Sequence, residues 1–520
     1  MRAISSTPTW RPRRRSDRPT SDNRCIVGHA RFRLTVALIM SIGIVAGAAL
    51  VAADTASAYG IWAVAGNGQA CSTPPSCGAG VAATRGQLSF PEGVAVGPSG
   101  EVYIADWGDN QIRKVALDGT ISAVAGDGTA CFSAPRCGDG AVAISAQLSF
   151  PEGVAVGSDG SVYIADTGDN EIRKLAPNGT ITRFAGTGQD CSRPPACGDG
   201  GAATSAQLSA PAGIAIDRTG DVYIADAGDS EVRKVSPSGK ITRIAGTGVP
   251  CATAAACGDN GLATGAELNF PGGVAVGPGG EVYIADAGDN EVRKVSTTGA
   301  ITLVAGDGTL CSAPATCGDG GAATSAQLSG PDGVAIGPDE SVYIADAGDN
   351  ELRRVSPAGK ITTIAGNGSS CSMPSSCGDG GVASAAQLNY PDGVAVDPSG
   401  NLYIADTYDH ELRWLSAATV SMLRVPSGRV ALAAFAAEVS PKTVTARYAL
   451  SAPAALTLSV TPANHSTAIV GHAAGQSGFG ALTWNRRLGG ARAPRGHYTL
   501  TITATVGGHS ASSKLELRLT

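Results

Sequence analysis

The chain has 520 residues, 71 of them Gly and 29 Pro, with 43% hydrophobic, 16% charged and 5% aromatic residues, a composition that excludes a disordered or collagen-like chain. The formal charge of −6 divides into +6 over residues 1–58, −20 over 59–416 and +8 over 417–520. The acidic middle argues against a nucleic-acid partner, because phosphate binding depends on Lys and Arg neutralisation.

The first element in chain order is an Arg-rich segment, with Arg13, Arg14 and Arg15, followed by an apolar run over 34–53 that Arg31 and Arg33 flank and Ala56-Ser57-Ala58 ends. A charged region, an apolar region and a small-x-small site predict a signal peptide cut after Ala58. About 20 apolar residues also suffice for an uncleaved anchor. Either reading makes the rest extracytoplasmic, secreted or at the cell surface, with membrane attachment only through this segment.

From residue 59 the sequence repeats with a period of 60. The repeated Pro stands at Pro91, Pro151, Pro211, Pro271, Pro331 and Pro391, and Tyr-Ile-Ala-Asp begins at Tyr103, Tyr163, Tyr223, Tyr283, Tyr343 and Tyr403. Each copy holds four β-branched stretches bounded by turn residues, in the first copy 94–96, 102–105, 112–115 and 121–125. Four antiparallel strands repeated around an axis predict a six-bladed β-propeller. The last copy lacks its fourth strand, and residues 61–65 match that strand ahead of the first copy. The N-terminal strand is therefore expected to close the ring and cover an open edge.

The motifs Ile-Ala-Gly-x-Gly, Gly-Asp-Gly-Gly-x-Ala-x-x-Ala-x-Leu, Pro-x-Gly-Val-Ala-Val and Tyr-Ile-Ala-Asp followed by Arg-Lys-Val resemble the NHL repeat over residues 61–416. The resemblance implies a six-bladed propeller and little chemistry, since relatives include protein-binding, RNA-binding, receptor-sensor and lyase members.

Twelve of 13 Cys form Cys-x5-Cys pairs: Cys71/Cys77, Cys131/Cys137, Cys191/Cys197, Cys251/Cys257, Cys311/Cys317 and Cys371/Cys377, with Cys25 left in the N-terminal segment. In an exported chain they read as disulfides, each stapling the tip of one long loop between blades. Each small ring restrains the unfolded chain by about 2.4 kcal/mol. Zinc is the rival reading, but the spacing is not a knuckle, and residues 59–416 contain one His. The long loops and the turns between second and third strands should share one face.

Those turns are acidic in every copy: Asp106/Asp109, Asp166/Asp169, Asp226/Asp229, Asp286/Asp289, Asp346/Asp349 and Asp406/Asp409. Five long loops add Asp139, Asp199, Asp259, Asp319 or Asp379, with Ala79 in the first. A group needed six times is read as holding a turn six times, pairing with Arg113 and its equivalents. Oxygen clusters in an exported protein also suit calcium.

Function is expected where the copies differ. Trp107, Tyr408 and His410 break the turn pattern in blades one and six, neighbours across the closure seam, and suggest an aromatic ligand-binding patch. After the repeated Pro the series is Glu92, Glu152, Ala212, Gly272, Asp332, Asp392, a contiguous acidic arc that could hold a metal or a basic partner. Such an arc keeps a metal-dependent hydrolase or lyase as the alternative, because lactonase-like propellers use carboxylate-bound ions. The scarcity of His, with only His410 in the ring, weighs against His-bound lyase chemistry.

After residue 416 the period stops, and stretches at 444–450, 455–460, 480–484, 497–506 and 513–519 predict a sandwich of five to seven strands. The segments Ala446-Arg447-Tyr448-Ala449-Leu450-Ser451, Leu482-Thr483-Trp484-Asn485 and Arg495-Gly496-His497-Tyr498-Thr499-Leu500 resemble the Ig-like domain of flagellar hook-capping proteins, with Asn485-Arg486 in place of the usual Asp-Gly. The expected architecture is all-β: 1–58 signal peptide or anchor, 59–416 propeller, 417–520 Ig-like sandwich. The expected role is a monomeric binding or scaffold protein of the cell envelope. No cofactor beyond calcium is foreseen, and the expected partner is a protein or glycan.

Overall fold

The computed structural model describes residues 59–519, apart from residues 73, 75–76, 132–136, 192–193, 195–196, 253–256, 313–316 and 373–376 in the cysteine loops and short stretches after Ser416. The signal peptide or anchor over 1–58, and Cys25 within it, lie outside the described residues. Among the described residues no helix is long and apolar enough to cross a membrane.

Five antiparallel sheets of four strands follow one another, the first built from Pro91–Val96, Val102–Asp106, Gln111–Val115 and Ile121–Ala125. The sixth combines Pro391–Val396, Leu402–Asp406 and Glu411–Ser416 with the N-terminal strand Gly60–Ala65, edged by the short strand Gly381–Val382. Pairing runs Ile61 to Leu415, Trp62 to Trp414 and Ala63 to Arg413, so the first strand completes the last blade as the repeat required. Trp62 and Trp414 are both buried, with ring centroids 5.1 Å apart.

The inner strands close a ring through glycine. A Cβ added to Gly93 would strike the backbone oxygen of Glu152, one on Gly153 that of Ala212, and so on around to Gly393, which meets the oxygen of Glu92. The absent side chains let six backbones converge on one axis. The inner strand starts at Pro91, not at 94 as the β-branched pattern suggested. Pro91 pairs with Asp106, and the register then shifts before Val94. That irregularity places Glu92 and its counterparts within the strand, at the axial channel.

Between blades, Val-Tyr-Ile-Ala-Asp strands such as Val102–Asp106 are buried along their length because each sheet is packed on both faces. A buried Arg joins the layers in every blade. The Nη1 groups of Arg113, Arg173, Arg233, Arg293, Arg353 and Arg413 lie 3.2, 3.1, 3.3, 3.3, 3.2 and 3.0 Å from Oδ2 of Asp106, Asp166, Asp226, Asp286, Asp346 and Asp406. The other oxygen of Asp106 accepts from the Ser89 backbone at 2.6 Å, and Arg113 also donates to the carbonyls of Gln87 and Cys77. One guanidinium thus ties a turn to the long loop and its cysteines.

The cysteines pair as the spacing predicts. Cys71–Cys77, Cys131–Cys137, Cys191–Cys197, Cys251–Cys257, Cys311–Cys317 and Cys371–Cys377 are disulfides with Cα–Cα distances of 5.6, 5.8, 5.6, 5.6, 5.7 and 5.7 Å. Their placement at loop tips is corrected. In blade six Cys377 is only 2% exposed, its carbonyl accepts from Nη2 of Arg413 at 3.4 Å, and the same oxygen takes the Gln387 N–H at 3.0 Å. Cys377 is therefore an anchor at the loop base, and Cys77, Cys137, Cys197, Cys257 and Cys317 are buried in the same way. In five blades the physical reason is the guanidinium, which needs carbonyl acceptors in its buried layer and takes that of Cys77, Cys197, Cys257, Cys317 or Cys377.

After the propeller come two four-stranded antiparallel sheets. One contains Ser421–Val425, Gly428–Val439, Val444–Leu450 and Gly478–Trp484, and the other Ala468–Gly475, Ala454–Pro462, Gly496–Val506 and His509–Leu519. Their shared core includes Val444, Tyr448, Leu458, Trp484, Leu500 and Ile502. With the small hairpin Arg487–Leu488 and Ala491–Arg492, the strands exceed the expected five to seven. Gly428–Val439 and Ala468–Gly475 were missed because Ala and Gly runs give weak strand patterns, and Ser421–Val425 because it is short and does not alternate cleanly.

This packing sets the expected cost of disturbing it. Trp62→Ala should lose about 3–5 kcal/mol in chemical denaturation, and removing residues 59–66 should abolish the single cooperative transition. In five blades a loop Asp also pairs with the buried Arg, at 2.7 to 2.9 Å. Ala79 leaves blade one without that Asp, so Ala79→Asp should raise stability by roughly 0.5–1 kcal/mol, small because the equivalent carboxylates are partly solvated.

Candidate binding site at the blade seam

Each turn between second and third strands is one 3-10 turn, such as Trp107–Asp109 and Thr407–Asp409, followed by a residue in the left-handed region. That residue reaches the next blade. Asn110, Asn170, Asn290 and Asn350 accept through Oδ1 from the backbone N–H of Phe150, Ala210, Gly330 and Tyr390 at 2.8 to 3.0 Å. At the seam His410 takes this place, and its Nδ1 accepts from Phe90 N–H at 3.1 Å. Its neutral form with a free Nδ1 is therefore required, and burial pushes its pKa down from 6.5.

The residues donating these bonds precede the repeated Pro and are themselves left-handed, with φ of 52° at Phe90, 51° at Phe150 and 56° at Tyr390, and Phe270 at the same repeat position has 50°. Bulky side chains are strained there. Each stands beside the turn of the preceding blade, where the symmetry-breaking residues lie. The result is a chain of rings across the seam. Tyr390 meets Tyr408 at 5.4 Å, Tyr408 meets Phe90 at 5.6 Å, Phe90 meets Trp107 at 6.2 Å, and Trp107 meets Phe150 at 4.8 Å. His410 stacks edge-on against Phe90 at 4.6 Å. Trp107, Tyr408 and His410 are thus brought into one patch, with Phe90 as the connecting ring. Sequence reasoning missed Phe90, Phe150 and Tyr390, although the same comparison of copies applied at the residue before the Pro shows Phe, Phe, Ala, Phe, Gly, Tyr. Phe150 and Tyr408 remain 40% and 45% exposed.

Beside this ridge the inner strands bring Glu92, Glu152, Asp332 and Asp392 together at the channel. Burial, then the charges of Glu152, Asp392 and Asp332, push the Glu92 carboxyl well above the usual range. Burial and Asp332 push Glu152 up to about 8. Burial raises Asp332 to about 6, against the opposing effect of its hydrogen bond with Asp392, and burial and Asp332 raise Asp392. Two carboxyls that act on each other in this way titrate as a unit. Burial comes first at Tyr390 and Tyr408 too, and the charges of Asp392 and Glu92 raise both further. These oxygens are the residues that could hold a hard cation.

The turn carboxylates have another task. Asp106 and its equivalents are committed to buried Arg and to backbone N–H groups, the structural use expected of a group needed six times. Asp109 lies within 4.8 Å of Cys71 and Cys77, as do Asp169, Asp229, Asp289 and Asp349 of their own pairs. As disulfides those sulfurs are poor metal ligands, and the Cys371–Cys377 pair of blade six is bonded in the same way.

The His410 bond gives a pH test. A folded pKa below 6.5 means that its stabilisation is complete above that value and is lost as pH falls through the lowered pKa. His410→Asn should restore the acceptor of the other blades and remove about 0.5–1.5 kcal/mol of acid sensitivity, seen by comparing denaturation at pH 7.5 and 5.

The teneurin NHL domain family matches at residues 45–135, 121–196, 182–249, 240–316, 298–375 and 357–414, more than half of the chain. Teneurin-m of Drosophila melanogaster is 32% identical over 300 residues, covering 52% of this chain and 10% of the relative. Teneurin-3 of Danio rerio is 28% identical over 378 residues, covering 67% and 13%. The chain therefore spans about a tenth of the length of these relatives. Among solved structures, an auxiliary nutrient binding protein from Bacteroides ovatus aligns at 16% identity with a TM-score of 0.47, covering 69% of this chain and 76% of that one. Virginiamycin B lyase from Staphylococcus aureus aligns at 16% and 0.36, covering 69% and 93%. Those likenesses bear on neither ligand nor reaction. On the family match, spread over all six repeats, the chain belongs to the teneurin NHL domain family.

Proposed function

We propose that this chain is an extracytoplasmic binding or scaffold protein of the cell envelope that presents the seam ridge of its propeller to a protein or glycan ligand. The observation that carries this reading is the run of rings from Tyr390 through Tyr408, Phe90 and Trp107 to Phe150, built on strained left-handed backbone. Gly330 occupies the equivalent position in blade five without strain. An aromatic kept at a backbone position that favours Gly, and left partly exposed, is a feature maintained against stability. Flat aromatic surfaces suit a sugar ring or an apolar side chain.

Six disulfides fit an oxidising compartment, in keeping with the expected export. The two-sheet body after the propeller fits an Ig-like spacer that holds the ring away from its attachment. Its +8 charge suits contact with acidic wall polymers or with the acidic ring. For the hydrolase or lyase alternative, Glu92, Glu152, Asp332 and Asp392 would have to hold the ion. His410 is already committed to the Phe90 backbone through Nδ1.

Phe150→Gly separates binding from folding. It should leave thermal stability unchanged or raise it by up to about 1 kcal/mol through relief of strain. Trp107→Ala with Tyr408→Ala should lower binding at least about tenfold on an array of wall glycans and displayed peptides. Array binding unaffected by both changes would contradict the reading.

A further inference from the structure

The ridge and the channel are adjacent, and their chemistries differ in a way that selects a ligand. Glu92 belongs to blade one, Glu152 to blade two, Asp332 to blade five and Asp392 to blade six, so the acids form one arc centred on the seam. Blades three and four present Ala212 and Gly272. One wall of the channel mouth is therefore lined by carboxyls whose protons a bound cation would displace, and the other is small and apolar. Asp332 leans toward the small wall, where a Cβ on Gly272 would lie 2.9 Å from its Oδ1.

The fully buried turn carboxylates of the ring each have an Arg. The six buried guanidinium groups are each held by the turn Asp of their own blade. The charges that act on Glu92, Glu152, Asp332 and Asp392 are all carboxylates. The arc thus lacks the counter-charge that each buried turn Asp has. Phe90 and Tyr390 immediately precede the Pro91-Glu92 and Pro391-Asp392 steps, Tyr408 packs on both rings, and aromatic ring faces attract a cation. The −20 charge of residues 59–416 would draw a basic partner toward this face.

We infer that the channel mouth receives a single Lys or Arg side chain from a protein segment lying across the aromatic ridge, the carboxylate arc taking the cation and the rings taking its flanking residues. This rests on the ridge being a binding surface, and it narrows the ligand from protein or glycan to a basic protein segment. A long aliphatic stem suits the Ala212 and Gly272 wall, while the head reaches the acids. A neutral sugar ring would use the aromatics and could hydrogen-bond the carboxyls, but it supplies no counter-charge.

Titration followed by intrinsic tryptophan fluorescence and by calorimetry would test this on the full chain. The probes are acetylated, amidated Gly-Ala-Arg-Ala-Gly, its Lys and Gln counterparts, chitotetraose, and calcium alone. The Arg or Lys peptide should bind at least about tenfold tighter than the Gln peptide, and Glu92→Gln with Asp392→Asn should remove that preference. This double variant removes repulsion and should fold at least as well as the parent, checked by melting temperature. Equal binding of the Arg and Gln peptides would overturn the inference. So would saturable binding of calcium to the arc with no peptide bound, or chitotetraose binding without peptide binding. In the chitotetraose case the ridge stands as a binding surface. If no probe binds and Trp107→Ala with Tyr408→Ala leaves array binding intact, the ridge itself fails with it.

Discussion

The ion pair between a buried Arg and a turn Asp is the constraint on which the propeller rests. It lies at the bottom of each blade's loop layer, where one guanidinium reaches the turn carboxylate and the carbonyls of the long loop and, in five blades, a loop Asp. A pair this buried costs desolvation, which the surrounding hydrogen bonds must offset. Its return is geometric. With the Arg fixed, the disulfide-bearing loop sits over the turn, the turn's left-handed residue meets the next blade, and the residue before the repeated Pro has its conformation set. Losing one partner would leave a buried charge uncompensated, at about 3–5 kcal/mol.

Symmetry explains why the fold was legible in the sequence. A period of 60 with no insertion placed every blade, and the orphan strand at 61–65 announced the closure that Trp62 and Trp414 complete. The Asp–Arg pairing was legible for the same reason, since a carboxylate present six times has a task repeated six times. Cysteine spacing gave the disulfide partners but not their depth, because nothing in a Cys-x5-Cys pattern shows that the Cys377 carbonyl serves Arg413. Strand starts were also less legible. Proline hides the bulged beginning of the inner strand, because it breaks the β-branched pattern while still pairing with Asp106. The second body has no repeat to support it, so its Ala-rich and Gly-rich strands were missed.

The site was legible only in part. Trp107, Tyr408 and His410 stood out as departures from the repeat, yet His410 proved to take the role of the Asn in other blades as well as packing on Phe90. The connecting ring, Phe90, and its partners Phe150 and Tyr390 occupy a position that varies gradually among copies, and such variation reads as drift until the left-handed backbone is seen. The carboxylate arc was visible as a series, but its convergence depends on the glycine ring that brings six strands to one axis. The repeated positions build a rigid, pre-organised ring, and a few unrepeated side chains at one seam give it a face unlike the other five.

The central claim is that contact with a ligand is made at the seam and not around the whole loop-bearing face. Phe150 and Phe270 provide the comparison, being the same residue at the same repeat position, with Phe150 inside the ridge and Phe270 outside it at 59% exposure. A photo-reactive benzoyl-phenylalanine placed at either position, with the protein applied to intact cells of its source, reads the contact directly. Cross-linked product from position 150, with little or none from 270, is the predicted result. Equal yields from both positions, or product from 270 alone, would contradict the account.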